Sequence, residues 1–578
     1  MADASHPTVA QLLVQRLCDT AKRVTGSDQP LAFYGVPGDY SFPLCDAIEA
    51  CPDAVWHGCA NELQAGYAAD GYARARGLGV LVTTYGVGEL SAINAVAGSF
   101  AERVPVVCIA SSPSRQIQEE QLIVHHSLAH GAEYDVFAKM HGHITAGQAT
   151  LSPDNAAAEI ERLLEVCTRL SLPVYANVPE DVQKESVVGP PVSDAPMMAS
   201  DPTVLQQAVG LIAEWVNSAQ RPVILADAGV HRARARAELL ALVDATNLPC
   251  ATMGMGRAVL DESHSNHIGV YEGAHSVPAN VQHVLESSDC VLAVGANMTD
   301  YNTGGFTACL DESAMVDIKL TVTKVRGAAF TNINSKDVLR ALAGALRKRS
   351  DDTYWQRRAD TCGILALPQY PAAAPPTCDG LLAAVQAILR PGDVVCMDTF
   401  TLTFGALPMR LPSGVEFISQ VLWGSIGAGL PIAGGAAAAL AHDPTRRVVL
   451  LIGDGCLQMT ATHLGTMLAE RRANRGGRVI CVLVNNRGYQ IEKLLCKRTD
   501  NAYNEIPNWR YALLPHVLGA EPEEYISIVV DKGSQLAPAM RAAADAQAEG
   551  KLALVEVRTP PMDVPQAARH LGHGMPGF

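Results

Sequence analysis

Two segments of the sequence carry polar turns directly after strongly apolar runs. Residues 448–452 lead into Gly453-Asp454-Gly455, and residues 479–484 lead into Asn485-Asn486. Such runs predict buried parallel strands, and α/β sheets place ligands at the carboxyl ends of those strands. Mg²⁺ takes oxygen ligands and completes its shell with substrate phosphates. The pair predicts a magnesium site that holds a diphosphate; two ordinary strand-to-helix turns are the alternative.

The two turns together resemble the cofactor signature of the thiamine diphosphate enzymes. The resemblance implies thiamine diphosphate and Mg²⁺ as cofactors, with Asp454, Asn486 and Gly488 as metal ligands. The interval 456–484 is somewhat longer than is usual in the family, and residues 472–478 are interpreted as a surface-loop insertion. The metal site should tolerate the insertion, because loop length costs little when the flanking elements are fixed.

The segment 59–74, Cys-Ala-Asn-Glu-Leu-Gln-Ala-Gly-Tyr-Ala-Ala-Asp-Gly-Tyr-Ala-Arg, resembles the family segment that bears the essential acid. The resemblance makes Glu62 the carboxyl group that hydrogen-bonds the aminopyrimidine of the cofactor. Without the family, Glu62 is a glutamate at a helix N-terminus that the helix dipole favours. The segment 83–88, with Thr84, resembles the turn that borders the cofactor ring.

An aspartate and a histidine pair indicate the branch of the family. Asp39, in Gly35-Val36-Pro37-Gly38-Asp39-Tyr40, and His125-His126 resemble the active-site residues of the pyruvate decarboxylase branch. A lone histidine is usually structural, and adjacent histidines on a strand face opposite ways. The coincidence with Glu62 favours the catalytic interpretation.

Glu492 matches the family carboxylate that faces the reactive carbon of the cofactor. The alternative is an exposed helix glutamate paired with Lys493 or Lys497. Together with Asp39 and the histidine pair, Glu492 would form a network of acids and bases suited to moving protons.

The resemblance assigns further residues to the cofactor. Ile426 resembles the bulky residue that supports its bent form, although core packing is an alternative, and the Gly424 carbonyl would receive its amino group. Phe400 and Cys456 depart from the usual glycine and serine, which indicates lower cofactor affinity because a thiol is a weak donor. The complete cofactor set is Glu62, Thr84, Thr399, Thr401, Gly424, Ile426, Gly453, Asp454, Gly455, Cys456, Asn486 and Ile491.

Four positions match the wall of the family's substrate pocket: Tyr301, Thr403, Ile491 and Leu495. Thr403 is small where some relatives carry tryptophan, which would leave space for aryl or branched 2-oxo acids. Other pyruvate-specific relatives also have a small residue there. Pyruvate is therefore the first choice of substrate by a narrow margin.

The sequence pattern around these residues predicts the elements that position them. It indicates an α/β fold of three doubly wound parallel-sheet domains in series. Apolar runs alternate with helical patterns in each third of the chain, and proline-rich passages at 189–199 and 367–376 separate the thirds. The predicted domains are pyrimidine-binding (1–188), central (200–348) and diphosphate- and Mg-binding (376–562), followed by a C-terminal tail (563–578). The order matches thiamine diphosphate decarboxylases.

Composition excludes several classes of protein. The formal net charge of −15 argues against nucleic-acid binding, which requires a basic surface. Fifteen cysteines without a Cys-x-x-Cys pair, and a charged amino terminus, predict a cytoplasmic protein. The uncharged stretch 421–441 is long enough to span a bilayer, but its glycines, its proline and the lack of basic anchors predict an internal loop and helix.

The resemblance implies non-oxidative decarboxylation of a 2-oxo acid to an aldehyde and carbon dioxide. Alternatives are a phenylpyruvate, indolepyruvate or branched-chain 2-oxo acid decarboxylase, a carboligase resembling acetolactate synthase, and a catalytically silent subunit. Because the site residues lie in the first and third domains, the family implies active sites between two subunits of a dimer or a dimer of dimers (a homotetramer).

Overall fold

A computed structural model describes residues 6–128, 133–188, 199–350, 354–357, 360, 363–496 and 500–573. Contacts divide the chain into two compact units. The first unit comprises Met1–Met198, Leu430–Pro444 and Thr460–Gly477, and the second comprises Ala199–Gly429, Thr445–Met459 and Arg478–Phe578. The predicted linker 189–199 lies almost wholly outside the described residues. The domain boundaries therefore remain predictions.

The first sheet is six-stranded and entirely parallel, in the order β2-β1-β3-β4-β6-β5. Its strands are β1 (Leu31–Gly35), β2 (Ala54–Gly58), β3 (Gly79–Thr84), β4 (Val106–Ser112), β5 (Gln148–Thr150) and β6 (Val174–Pro179). The accompanying helices are α1 (Val9–Thr25), α2 (Phe42–Ala50), α3 (Glu62–Arg76), α4 (Val87–Ala101), α5 (Arg115–Glu119), α6 (Val136–His141), α7 (Ala156–Leu170) and α8 (Glu180–Lys184).

The central sheet has seven strands in the order β13-β12-β11-β10-β7-β8-β9. They are β7 (Pro222–Ala226), β8 (Cys250–Met253), β9 (His267–Tyr271), β10 (Cys290–Val294), β11 (Met315–Ile318), β12 (Val322–Val325) and β13 (Ala328–Thr331). Its helices are α9 (Pro202–Ser218), α10 (Gly229–Arg232), α11 (Arg236–Thr246), α12 (Asn280–Glu286) and α13 (Ser335–Ala345).

Alternate residues of β7 belong to different cores. Ile224 and Ala226 lie in one hydrophobic cluster, whereas Val223 and Leu225 lie in another. A strand buried on both faces reads as one continuous apolar run, as the sequence does here. The prediction of a doubly wound domain is confirmed.

One edge of the central sheet differs from the prediction of a parallel sheet. Strands β11, β12 and β13 pair antiparallel. Arg326 and Gly327 join the last two strands with φ values of 48° and 81°. Two consecutive positive φ values define the tight hairpin turn that matches strand twist, so the chain reverses instead of crossing over.

The third sheet is six-stranded and parallel, in the order β15-β14-β16-β17-β19-β18. Its strands are β14 (Val394–Met397), β15 (Glu416–Ser419), β16 (Val448–Gly453), β17 (Val479–Asn485), β18 (Tyr525–Val530) and β19 (Leu552–Arg558). The helices of this part of the chain are α14 (Cys378–Gln386), α15 (Thr401–Gly405), α16 (Gly429–Ala439), α17 (Asp454–Thr460), α18 (His463–Arg472), α19 (Gln490–Leu495), α20 (Leu514–Val517) and α21 (Leu536–Ala548).

Short 3₁₀ helices complete the described chain, at Asp39–Ser41, Glu312–Ala314, Ala502–Asn504, Tyr511–Leu513, Gly533–Gln535 and Gln566–His573. The stretch 421–441 forms a loop followed by α16, as predicted. Among the helices of the described residues, none combines the length and the apolar character that crossing a bilayer requires. The α/β fold class is thus confirmed, with three predominantly parallel sheets in series.

Candidate active site

The predicted aspartate and histidines converge in the first unit. Asp39 follows β1 in a short 3₁₀ helix, and the histidines lie in a turn beyond α5. His125 Nε2 lies 2.8 Å from Asp39 Oδ2. One ligand atom from each of Asp39, His125 and His126 lies within 4.8 Å of the others. Residues separated by more than eighty positions thus form one acid and base cluster.

The histidines do not lie on a strand, so their rings do not face opposite ways. His126 has φ 69°, and the two rings meet edge to face with centroids 4.7 Å apart. The ring of His125 stacks on Tyr40 at 5.0 Å with an interplanar angle of 9°. Gly86 makes room for the turn, because a Cβ there would lie 2.7 Å from the His126 carbonyl oxygen. The glycine of the strand-turn-helix motif therefore shapes the histidine turn.

Glu62 is the first residue of α3, as the sequence predicts. Asn61 caps the helix, and its side chain accepts from the Gln64 amide at 2.9 Å. Glu62 is half-buried, and its Oε1 lies 3.3 Å from the position that a Cβ on Gly88 would occupy. Thr84 is buried at the end of β3, and its Oγ1 has no partner among the described residues. An unpartnered hydroxyl beside a half-buried carboxylate suits a bound polar heterocycle.

Helix α3 is held against α16 by backbone contact. A Cβ on Gly71 would lie 2.0 Å from the Ile432 carbonyl oxygen, and one on Gly435 would lie 1.9 Å from that of Ala68. Neither position accepts any side chain without moving a helix. The crossing fixes the helix that begins at Glu62.

The predicted metal turns are joined in the second unit. Asp454 Oδ2 accepts from the amides of Arg487 at 2.7 Å and Gly488 at 3.3 Å, while its Oδ1 accepts from Gly455 at 2.9 Å. Burial raises the pKa of the Asp454 carboxyl to about 6, although these amides oppose the rise. The Asn486 side chain is buried, and its Oδ1 lacks a partner among the described residues.

The side-chain oxygens of Asp454 and Asn486 fit a hard divalent cation. A buried carboxylate beside an unpartnered amide oxygen offers the oxygen ligands that Mg²⁺ takes. The neighbouring Asn485 has another role, because its amide donates to the buried Glu556 at 2.8 Å. The amide nitrogen of Asn485 is thus tied to the sheet, while the Oδ1 atoms of both asparagines lack a partner among the described residues.

Asp398, which the sequence reasoning missed, organises the turn that carries several predicted cofactor residues. Its buried carboxylate accepts from the amides of Thr399 at 2.7 Å, Gly427 at 3.1 Å and Gly429 at 2.8 Å. Burial raises the pKa of this carboxyl. The bonds bring Thr399 next to the turn that contains Gly424 and Ile426. The Ile426 side chain is half-buried. The available signal was an acid at the carboxyl end of β14.

The departures from the family pattern are accommodated within the turn. The buried ring of Phe400 packs on Gly453, where a Cβ would lie 3.3 Å from Phe400 Cδ2. The Cys456 thiol contacts the Thr399 carbonyl oxygen at 3.5 Å, and burial raises the pKa of this thiol well above its usual range. The hydroxyl of Thr399 donates to the Gln420 carbonyl at 2.9 Å, and Thr401 is buried as the first residue of α15. The hydroxyl of Thr399 and the thiol of Cys456 therefore have partners within the protein.

Two of the predicted pocket residues, Tyr301 and Ile491, lie near Phe404, a second residue that the sequence reasoning missed. Its ring lies 5.4 Å from that of Tyr301 in an edge-to-face arrangement, and it belongs to the same cluster as Ile491. Thr403 is buried, and its hydroxyl donates to the Asp398 carbonyl at 2.5 Å. Leu495 is half-buried at the end of α19. Phe404 follows the small Thr403 in the sequence, but no motif or spacing indicated that its ring lies at the pocket.

Glu492 is exposed on α19. Its neighbour Lys493 is buried and bonds Glu505 Oε1 at 2.6 Å, so that lysine is already paired with another acid. Lys497, the other lysine weighed for Glu492, lies outside the described residues. The role of Glu492 remains a prediction.

Known proteins and family models match most of the length of this chain. Three family models match: the N-terminal TPP binding domain of thiamine pyrophosphate enzymes (residues 31–136), their central domain (209–334) and their C-terminal TPP binding domain (398–557). An alpha-keto-acid decarboxylase of Mycobacterium avium is 39% identical over 541 residues, covering 92% of each chain. Pyruvate decarboxylases of Aspergillus fumigatus (36% over 519 residues, 89% of this chain and 87% of the relative) and Kluyveromyces lactis (36% over 543 residues, 92% and 93%) are also similar.

Proposed function

We propose that this chain, which belongs to the thiamine diphosphate-dependent 2-oxo acid decarboxylases, converts pyruvate to acetaldehyde and carbon dioxide with Mg²⁺ as its metal. Asp454, Asn486 and Gly488 would hold the metal. The support for Mg²⁺ is the buried carboxylate of Asp454 beside the unpartnered oxygen of Asn486. When bound, thiamine diphosphate supplies the nucleophilic carbon and the electron sink that decarboxylation requires.

The protein's own groups hold and move protons. Glu62 would keep a carboxyl group against the aminopyrimidine, with the unpartnered hydroxyl of Thr84 nearby. His125 and Asp39 share a contact of 2.8 Å, so a proton can be held between Nε2 and Oδ2 and delivered to the product. His126 and Glu492 would complete this network.

The convergence of Asp39, His125 and His126 carries the choice of decarboxylase over carboligase. A proton source beside the reacting carbon releases an aldehyde, whereas a carboligase must keep protons away until a second carbonyl compound arrives. The test is incubation of purified protein with pyruvate, thiamine diphosphate and Mg²⁺, followed by product analysis. Acetaldehyde as the main product supports the proposal, and acetolactate overturns it.

A second substrate class is favoured by Thr403. The small side chain leaves Phe404 and Tyr301 as the bulk of the wall, which suits phenylpyruvate, indolepyruvate or branched 2-oxo acids. Measuring kcat/KM for each of these acids against pyruvate decides the preference.

Phe400 and Cys456 motivate a different hypothesis, a catalytically silent subunit. Failure of the purified protein to bind the cofactor would support it.

The remaining proposals concern assembly and location. The proposed catalytic residues come from the first and third predicted domains, and the family resemblance implies that two chains share each site. We therefore expect a dimer or a dimer of dimers. The many thiols suit a reducing cytoplasm. Sedimentation of the purified protein, with activity measured across concentration, tests the dependence on assembly.

A further inference from the structure

The loop of residues 472–477 forms most of the predicted surface insertion and is anchored within the first unit. The amides of Arg475 and Gly476 donate to the Glu470 carbonyl at 2.8 and 3.1 Å, so the chain folds back on the end of α18. Gly477 lies against α16, because a Cβ there would lie 2.2 Å from the Ala437 carbonyl oxygen. These backbone contacts fix the point from which the Arg475 side chain extends.

The half-buried Arg475 side chain connects the loop with the edge of the first sheet. Its Nη1 donates to the Trp56 carbonyl at 3.0 Å, and its Nε lies 3.2 Å from Glu470 Oε2. Trp56 belongs to β2, which is an edge strand. An edge strand has carbonyl groups that the sheet does not pair, so a guanidinium from outside the sheet can hold it. Arg475 thus ties β2 to the end of α18.

The same carboxylate oxygen faces His57, the residue after Trp56. His57 Nδ1 lies 2.8 Å from Glu470 Oε2, and both side chains are buried. Burial, followed by the charge of Glu470, raises the pKa of the Cys59 thiol to about 12, so that charge also acts on the turn after β2. A buried carboxylate is costly unless other groups compensate it, and here Arg475 and His57 face it. Glu470 therefore lies between the loop and the turn that leads to α3.

A second contact holds the far side of that turn. Gln64 Nε2 donates to Thr462 Oγ1 at 2.7 Å, and Thr462 is the residue before α18. Helix α18 therefore contacts the chain on both sides of Glu62, through Glu470 near its end and Thr462 at its start. Glu62 lies between these contacts as the first residue of α3.

We propose that Arg475 and Glu470 are positioning residues, through which the loop of residues 472–477 holds β2 and the start of α3 so that the Glu62 carboxyl keeps its place against the cofactor. The proposal rests on the role of Glu62 in the proposed function. A misplacement of about 1 Å in a catalytic group can cost roughly 10²-fold in rate, so such a support affects chemistry as well as stability. Arg475 and Glu470 act through β2 and the turn, and not on the reacting atoms.

Deuterium exchange of the proton on the reactive carbon of thiamine diphosphate tests the proposal without any 2-oxo acid. The rate is measured in the full chain with saturating cofactor and Mg²⁺. Arg475→Ala and Glu470→Gln should each slow this exchange about tenfold. Arg475→Lys keeps the charge but lacks the planar fork, so it should slow the exchange only about threefold. A wild-type rate in Arg475→Ala or in Glu470→Gln overturns the proposal.

Arg162→Ala is the matched control at the opposite edge of the same sheet. Arg162 donates to the Glu159 carboxylate at 2.9 Å and to the Gln148 carbonyl of β5 at 2.7 Å. The two alanine variants thus remove the same kinds of contact, but Arg162→Ala should keep the wild-type exchange rate at the cofactor. Equal slowing in both variants would indicate a general loss of stability and overturns the proposal.

A second measurement depends on neither the cofactor nor the substrate. Amide hydrogen exchange of the peptide 57–66, in the cofactor-free full chain, reports how firmly the turn and the start of α3 are held. Exchange there should be about tenfold faster in Arg475→Ala and unchanged in Arg162→Ala. Unchanged exchange in Arg475→Ala overturns the proposal, even if the protein decarboxylates pyruvate. The predicted increase supports it even if pyruvate is not the substrate.

Discussion

Replacing Asp454 with asparagine should strongly weaken magnesium binding while leaving the fold intact. The carboxylate accepts three backbone amides, and an asparagine side chain can accept on one side only. In its better orientation the new amide keeps the amides of Arg487 and Gly488 and leaves that of Gly455 unpaired. One unpaired buried donor costs about 1–3 kcal/mol, which a chain of this size survives with a lower melting temperature.

The effect on the metal should be larger than the effect on the fold. Removing one partner of a buried charge pair costs about 3–5 kcal/mol, which corresponds to a roughly 150- to 5,000-fold loss of affinity. Titration of the purified protein with Mg²⁺ by calorimetry, in the presence of thiamine diphosphate, measures this loss directly.

Asp398→Asn is the matched control. Asp398 is equally buried and also accepts three backbone amides, but it is not a proposed metal ligand. Both variants should lower the melting temperature of the cofactor-free protein by similar amounts, and Asp398→Asn should keep its dependence on Mg²⁺. Wild-type Mg²⁺ affinity in Asp454→Asn would refute the assignment of the metal site.

Three further predictions follow from individual side chains. Glu62→Gln should lower kcat/KM for pyruvate about 10²- to 10⁴-fold, with little change in melting temperature because Glu62 is only half-buried; near-normal turnover would contradict the role of the acid. Thr403→Trp should lower kcat/KM for phenylpyruvate at least about tenfold relative to pyruvate, and an unchanged ratio would place the threonine outside the pocket. Burial raises the pKa of Asp227 to about 7 in the folded protein, against 3.8 for the free group, so the folded state binds an extra proton between these values and loses stability as pH rises through them. From pH 5 to pH 7 this group alone should remove roughly 2–3 kcal/mol from the free energy of unfolding. Asp227→Asn keeps an acceptor for the Asn297 amide and the Asn302 side chain. In denaturant titrations at the two pH values, this variant should not show the fall in the free energy of unfolding. The same pH dependence in the variant and the wild type would contradict the role assigned to Asp227.

The sequence predicts those parts of the site that local patterns determine. Asp454 and Asn486 follow apolar runs that can only be buried strands, and Glu62 follows a helix cap, so their placement was accessible from neighbouring residues. Family resemblance supplied their roles. The antiparallel edge of the central sheet was not predicted, because it depends on a positive φ at Arg326, which an arginine adopts only when the fold requires it.

Long-range packing explains the rest. His125 and His126 were weighed as neighbours on a strand, but stacking on Tyr40 and the glycine at position 86 turn the chain so that both rings face one acid. Phe404 and Asp398 were missed because their importance comes from partners that are distant in sequence. No periodic pattern records such partners.

The close contact between α3 and α16, at Gly71 and Gly435, limits which positions protein engineering can alter. Any residue larger than glycine at position 71 or 435 would push a helix away and shift the acid at position 62 with it. Libraries aimed at new substrates should therefore leave both glycines invariant and vary the wall around Thr403. Natural drift in substrate range is expected to follow the same route, because the wall can change one side chain at a time while the crossing cannot.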